Sequence, residues 1–368
     1  MHSIRKNKFI AAMASPKIAV YCLLLLCILT VCGTLYQVSY GIHEAKARYF
    51  TSWYFLVWDI VPLPGGQSVM WCFSINLLSS LIYRIELKWK KAGFALTHLG
   101  LLLFCFAALW TYLFSVESYL TLEEGASSNV STSRYHWELA VWKIENGKKY
   151  VESQTLNSNI GKDDKFSFHN NEVQFTVLEL YHNCSPSYSK EGRDLKNASG
   201  YSKIIQKKLQ PDQTLNRPGG IFILEQNQDK ILLIGEENND LKLNSKKSSY
   251  FTHLRRKRNP LPVTLRLDDV NMKNYSGTQI ASHYESRVYI NGDGMPRQTR
   301  ISMNNPLRIS DFTFYQSGYR NSGNSEFSTL SVVKNSGRLL PYIASFIMGL
   351  GLLVESFYRM FKIKKRNK

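Results

Sequence analysis

AGFALTHLGLLLFCFAALWTYLF, residues 92–114, carries no formal charge over its whole length. At ~1.5 Å rise per residue, a helix of that length crosses the ~30 Å hydrocarbon core of a bilayer. One ionisable side chain sits inside it. His98 lies six residues from the Ala92 end, ~9 Å by the same rise, and it is the only histidine in any apolar span of the chain. An ionisable group at that depth costs free energy unless it finds a partner, so a functional role is its default reading. The alternative is a neutral imidazole hydrogen-bonded to a neighbouring helix.

Three more stretches read as spans: residues 18–38, residues 68–84 and residues 339–358. The expected architecture is an integral membrane protein of four transmembrane helices with a large, mostly antiparallel β domain outside the cytoplasm. A single soluble globular domain is excluded. The segment 18–38 could also be a cleaved signal peptide. Val31 is too bulky for the position before Cys32 in a lipoprotein cleavage box, and the apolar run continues past it, so an uncleaved span is expected.

The formal net charge of +18 suggests a nucleic-acid binder until its location is considered. The basic tail 1–17, residues 84–91 (which include the basic loop 85–91) and the tail 359–368 together hold 14 basic residues and one acid, Glu86. Segments of this kind stay on the cytoplasmic side. The connection 39–67 is balanced, with Lys46 and Arg48 against Glu44 and Asp59. Both termini are therefore expected in the cytoplasm and residues 118–338 outside it. The lipid bilayer is the expected partner of the charge, and no nucleic acid is.

Within 39–67, HEAKARYFTSWYFLVW (residues 43–58) is rich in aromatics that favour the headgroup level, so an interfacial helix is expected. A platform for a flat hydrophobic ligand is the alternative. Pro62, Pro64, Gly65 and Gly66 break the segment before the second span.

The insert 115–338 alternates apolar and polar residues as strands do. Residues 137–144 lead into Asn146-Gly147, a hairpin turn signal. Further strand-like runs are residues 173–181, 220–225, 230–235, 263–267, 287–291, 312–316 and 330–334. One sandwich or two smaller sheets are expected. The run Leu254-Arg255-Arg256-Lys257-Arg258 reads as a solvated loop, or as a grip for an acidic partner or a haem propionate. Glu355 and Arg359 are spaced for a local i,i+4 pair.

Five of the six cysteines (Cys22, Cys27, Cys32, Cys72 and Cys105) lie in apolar spans; Cys184 alone lies in the insert. An internal disulfide in the insert and a CxxC redox pair are thereby excluded. The histidines expected outside the cytoplasm (His43, His136, His169, His182, His253 and His283) are scattered singly and read as surface residues. No GxSxG, HExxH, phosphate-binding glycine loop or spaced Cys/His zinc set is present.

With these pieces in order, the chain resembles the ResB/CcsB family of system II cytochrome c biogenesis proteins. SPKIAVYCLLLLCILTVCGTLYQ (residues 15–37) is similar to the family's opening span, and the 92–114 segment to its third, with His98 and Gly100 at the matching positions. LPVTLRLDDV (residues 261–270) and MNNPLRISDFTFYQSGY (residues 303–319) resemble the late part of the exported domain. Asn305-Pro306-Leu307 and Phe314-Tyr315-Gln316 are the most distinctive pieces. The middle of the insert, from about residue 143 to 260, offers no stretch to set beside the family, and the PLPGG break before the second span is unusual for it.

The resemblance implies a membrane component of the complex that delivers and attaches haem to apocytochrome c. It implies a non-catalytic subunit of a cytochrome c synthase (haem lyase). A ResC/CcsA-type membrane protein and apocytochrome c are the implied partners, with a thiol-reducing thioredoxin-like protein in addition. His98 is the implied axial ligand of haem iron, the metal-binding and cofactor-binding residue of a haem b held transiently and shared with the partner subunit. The implied location is a bacterial cytoplasmic (inner) membrane, or a thylakoid membrane in an organelle. The competing class is a non-haem, membrane-anchored β domain acting as scaffold or envelope binding module.

Overall fold

The structure is a computed structural model that describes residues 8–58, 60–84, 91–157, 159–188, 195–237, 239–244, 249–278, 281–292, 294, 296–323 and 325–366. The expected basic loop 85–91 lies outside the described residues except for Lys91, as do residues 1–7 and 367–368 of the two basic tails. The chain divides into two compact units, residues 1–116 with 334–368, and residues 117–333.

The first unit is helical: α1 (Lys8–Met13), α2 (Pro16–Ala45), α3 (Gly66–Arg84), α4 (Ala92–Phe114) and α5 (Leu340–Arg366). Three segments are long and apolar enough to cross a membrane by length and composition: Pro16–Phe50, Ala92–Phe114 and Leu340–Phe361. These apolar helices mark a membrane protein. The expected second span is a helix of 19 residues, α3, but it does not reach the same apolar standard. Polar side chains dilute it and are used internally. Asn76 donates to the carbonyls of Met13 and Ser15 at 2.6 and 2.8 Å, and the Ser80 hydroxyl donates to Ala14 at 3.3 Å. Those bonds tie α3 to the turn between α1 and α2.

The expected helix over residues 43–58 is only half helical. Gly41 kinks α2 with a φ of 78°, a conformation open to glycine. A π-helical turn (Lys46–Phe50) follows, and then a hairpin of β1 (Tyr54–Val57) and β2 (Val61–Pro64). Pro62 and Pro64 fit because β2 is an edge strand, where a missing backbone donor costs nothing.

The second unit is all β and antiparallel in its named strands. Its early strands are β3 (Val116–Glu123), β4 (Ser127–Glu145), β5 (Lys148–Leu156), β6 (Lys165–Phe168), β7 (Val173–Tyr181), β8 (Cys184–Ser187) and β9 (Lys203–Gln206). Then come β10 (Gly219–Leu224), β11 (Asp229–Ile234), β12 (Leu241–Asn244), β13 (Ser249–Asn274), β14 (Ala281–Asn291) and β15 (Arg297–Ser302). The last are β16 (Leu307–Ile309), β17 (Phe312–Asn321) and β18 (Glu326–Lys334).

Ten strands form one sheet in the order β15-β14-β13-β4-β3-β18-β17-β16, with β12 on β13 and β5 on β4. A four-stranded sheet runs β11-β10-β7-β6, and β8 pairs with β9. The β4–β5 hairpin turns on Asn146 and Gly147, with φ of 52° and 72°, the paired positive values of a two-residue hairpin turn.

Two hydrophobic cores result. One packs the four-stranded sheet on β4, β12 and β13 around Phe175, Phe222, Leu139, Tyr250 and Leu254. The other is enclosed by the remaining strands of the large sheet around Leu265, Leu267, Val288, Phe314 and Val332. β13, 26 residues long, enters both. The stretch between its two core-facing parts is the basic run 255–258.

Candidate functional site

His98 is positioned by the packing of α4. Gly93 and Gly100 of α4 and Gly351 of α5 bring the two helix backbones together. A Cβ at Gly100 would lie 2.7 Å from the Met348 nitrogen, and one at Gly351 would lie 2.5 Å from the Thr97 nitrogen. Small residues at such spacing are what close helix packing in lipid requires. The glycine seam sets the rotation of α4, and His98 stands beside the seam.

The imidazole is half-buried. Its Nδ1 is 3.0 Å from the carbonyl oxygen of Phe94, one turn earlier, and its ring lies against the Phe94 ring with centroids 4.0 Å apart. A carbonyl oxygen only accepts, so Nδ1 carries the proton and the Nε2 lone pair is left available. Among the described residues Nε2 has no hydrogen-bond partner within the chain.

An apolar groove of about 670 Å³ lies between α3 and α4. Met70, Trp71 and Leu78 line it from α3, and Leu102, Cys105 and Leu109 from α4. Leu102 is one turn and Cys105 two turns along the same side of α4 as His98. The imidazole itself is not in the lining, whose α4 part begins at the next residue, Leu99. Among the described residues no three His, Cys, Asp or Glu side chains converge as a metal site.

The basic run is not a solvated loop. It belongs to β13, and its members have different tasks. Arg255 is buried and paired with buried Glu138 at 2.8 Å. Arg256 donates to the carbonyls of Arg134 and Thr214 at 2.5 and 2.7 Å, and its guanidinium lies 3.9 Å from the centre of the Trp137 ring. Burial presses its pKa below the usual guanidinium value, and Glu236, 3.5 Å away, works against that. The charges looked like a loop because the acid and aromatics that absorb them lie far away in sequence, on β4.

His169 is buried rather than on the surface, its Nε2 3.3 Å from the Val141 carbonyl and its Nδ1 3.6 Å from Glu152. His253 pairs with Asp240 at 2.9 Å and His283 lies 3.7 Å from Glu285. Cys184 is buried in a small core with Ile204, Ile221, Leu232 and Ile234, and burial pushes its thiol up to about 11. Glu355 and Arg359 form the expected i,i+4 pair at 2.8 Å.

The distinctive late motifs serve the fold. Ser302 and Asn305 close a tight turn by reciprocal backbone bonds, Phe314 is fully buried, and Gln316 accepts from Ser286 and donates to Ser328 in a buried polar network.

No curated protein matches the chain significantly. Residues 225–329, from the end of β10 into β18, match the model of the ResB-like family. The match covers both late motifs, and it bears out the ResB/CcsB resemblance of this chain and its link to cytochrome c biogenesis.

Proposed function

We propose that the protein is a membrane component of the cytochrome c maturation machinery, helping to carry haem across the membrane and to present it to apocytochrome c with a ResC/CcsA-type partner. The observation that carries this reading is His98, an imidazole in an apolar helix with Nδ1 engaged by its own backbone and Nε2 open. Haem, when bound, would supply an iron open to an imidazole ligand and an apolar ring that needs cover from water. The residues present fit such a group. The Phe94 carbonyl fixes the tautomer and aims the ring, the arrangement that metal-bound histidines use. The apolar side chains along α3 and α4 exclude water next to it.

This chain would hold such a group through one imidazole, and a further ligand would come from the partner subunit. The chain's contribution is binding and positioning rather than acid or base chemistry, as expected of a non-catalytic subunit. The positive flanks support both termini on the cytoplasmic side and the β domain outside. Reporter fusions at Asn197 and at the C-terminus then report opposite sides; the same side for both overturns that orientation.

The functional test is an absorption spectrum of the detergent-purified complex, coexpressed with a ResC/CcsA-type partner. A Soret band copurifying with the complex is expected. A complex that assembles and matures cytochrome c while never carrying haem overturns the proposal.

A further inference from the structure

Where β13 passes from one core of the β domain to the other, its pairing with β4 is interrupted. Arg256 opposes Trp137 and Arg258 opposes Thr132, so residues 133–136 of β4 bulge out against Lys257 alone. Bulges re-aim side chains and gather beside functional sites. Beside this one opens a cleft of about 730 Å³.

Its charged lining is three guanidiniums, Arg134, Arg256 and Arg258, against one carboxylate, Glu236. The three differ in how far they are already satisfied. Arg256 is held by two carbonyls, Glu236 and the Trp137 ring, and is part of the wall. Arg134 lies over the Tyr119 ring at 4.4 Å with no acid paired to it among the described residues. Arg258 is exposed and has neither an ion pair nor a side-chain hydrogen bond among the described residues. The two carboxylates whose charge reaches it, Glu138 and Asp240, are paired with Arg255 and His253. Two forked donors therefore face the cleft unspent, and the hydroxyls of Thr132, Ser133 and Thr329 stand among them.

Leu120, Val130 and the ring of Tyr119 give the cleft an apolar part, with Thr121, Ser128 and Thr214 completing the lining. Guanidinium forks match the planar geometry of a carboxylate and bind it through two parallel hydrogen bonds. The geometry points to a binding site for an amphiphilic carboxylate, its acid groups on Arg134 and Arg258 and its apolar body against Tyr119, Leu120 and Val130. This inference stands on the β domain alone and does not depend on His98.

The test uses the full chain in detergent and naphthalene-2,6-dicarboxylate, a water-soluble aromatic diacid followed by its own fluorescence anisotropy. Saturable binding is expected, weakening as salt is raised. The corresponding diamide, with the same body and no charge, is expected not to bind. Arg134→Gln and Arg258→Gln each weaken binding roughly tenfold or more, the scale of one lost charge-assisted hydrogen bond, and the double variant abolishes it. Arg258→Lys keeps the charge and recovers part of the affinity, which separates loss of the fork from a folding defect. Lys230→Gln, on a strand that does not line the cleft, leaves binding unchanged. No saturable binding to the native chain, equal binding of the diamide, or undiminished binding by the double variant overturns the site.

Discussion

Gly100 of α4 and Met348 of α5 are so close that a Cβ on the glycine would lie 2.7 Å from the Met348 backbone nitrogen. The glycine is therefore needed for contact between two helices and not for backbone freedom, because its conformation is ordinary helix. His98 is two residues away, so whatever shifts this contact also turns the imidazole.

Gly100→Ala and Gly349→Ala make the same chemical change with opposite expected results. Nothing lies within 4 Å of a Cβ at Gly349. There alanine gains helix propensity, about 0.8–1.0 kcal/mol over glycine. At Gly100 the added methyl forces the helices apart, an overpacking cost of about 1–3 kcal/mol. Thermal melts of the purified protein should show a lower midpoint for Gly100→Ala and an equal or higher one for Gly349→Ala. A melt unchanged by Gly100→Ala removes the close seam.

A second prediction concerns Arg255 and Glu138, paired at 2.8 Å with side chains only 11% and 2% exposed. Removing one member strands a buried charge, at a cost of about 3–5 kcal/mol. Glu138→Ala is expected to lower the melting midpoint sharply. Changing both residues to Met removes both charges and should cost much less than either single truncation. If the double change costs as much as the two single changes together, the pair is not coupled.

The contrast between this pair and the β4–β5 hairpin shows what the sequence could reveal. Asn146-Gly147 encodes its own turn, so the hairpin is legible from two residues. The run 254–258 is uninterpretable locally, because what makes it a strand is Glu138 and Trp137, more than a hundred positions earlier. The weak apolarity of the second span, which leaves the count of four unconfirmed, has a related reason. Asn76 and Ser80 look tolerable in an apolar run, and only the carbonyls of Met13, Ala14 and Ser15 give them their task. His98 and Gly100 were both visible in the sequence. The carbonyl that fixes the His98 tautomer follows from helix geometry, whereas the neighbour that requires Gly100 lies at the other end of the chain.

Cys184 gives a prediction about pH. Its thiol is pushed up to about 11 by burial, so roughly one molecule in a thousand carries the thiolate at pH 8. Maleimide labelling followed by peptide mapping should find Cys184 unmodified in the native protein at pH 8 and modified after denaturation. The unfolded thiol ionises near 8.5, so the folded state binds the proton more tightly. This contribution to stability is full below about pH 8.5 and is lost as pH rises toward 11. Native labelling at the rate of a free thiol contradicts the buried placement and with it the packing of Cys184 against Ile204, Ile221, Leu232 and Ile234.

His98→Ala is the decisive substitution for the proposed function. Alanine keeps the helix, since it is the best helix former, and the residue lies beside the glycine seam, so the contact of α4 with α5 is retained. The variant is expected to insert and accumulate with a melt close to that of the native chain, yet to lose copurifying haem and holocytochrome c production. Free imidazole can reach the vacated position and should restore part of both. His98→Tyr and His98→Cys should retain some haem with altered spectra, because both side chains ligate iron. His136→Ala and His182→Ala should leave the spectrum alone. His169→Ala is expected to lower stability, because its imidazole is buried between Val141 and Glu152, while leaving the Soret band of the folded fraction in place. An unchanged Soret band and a normal rate of cytochrome c maturation in His98→Ala would leave the imidazole as a packing residue, its Nδ1 proton spent on Phe94.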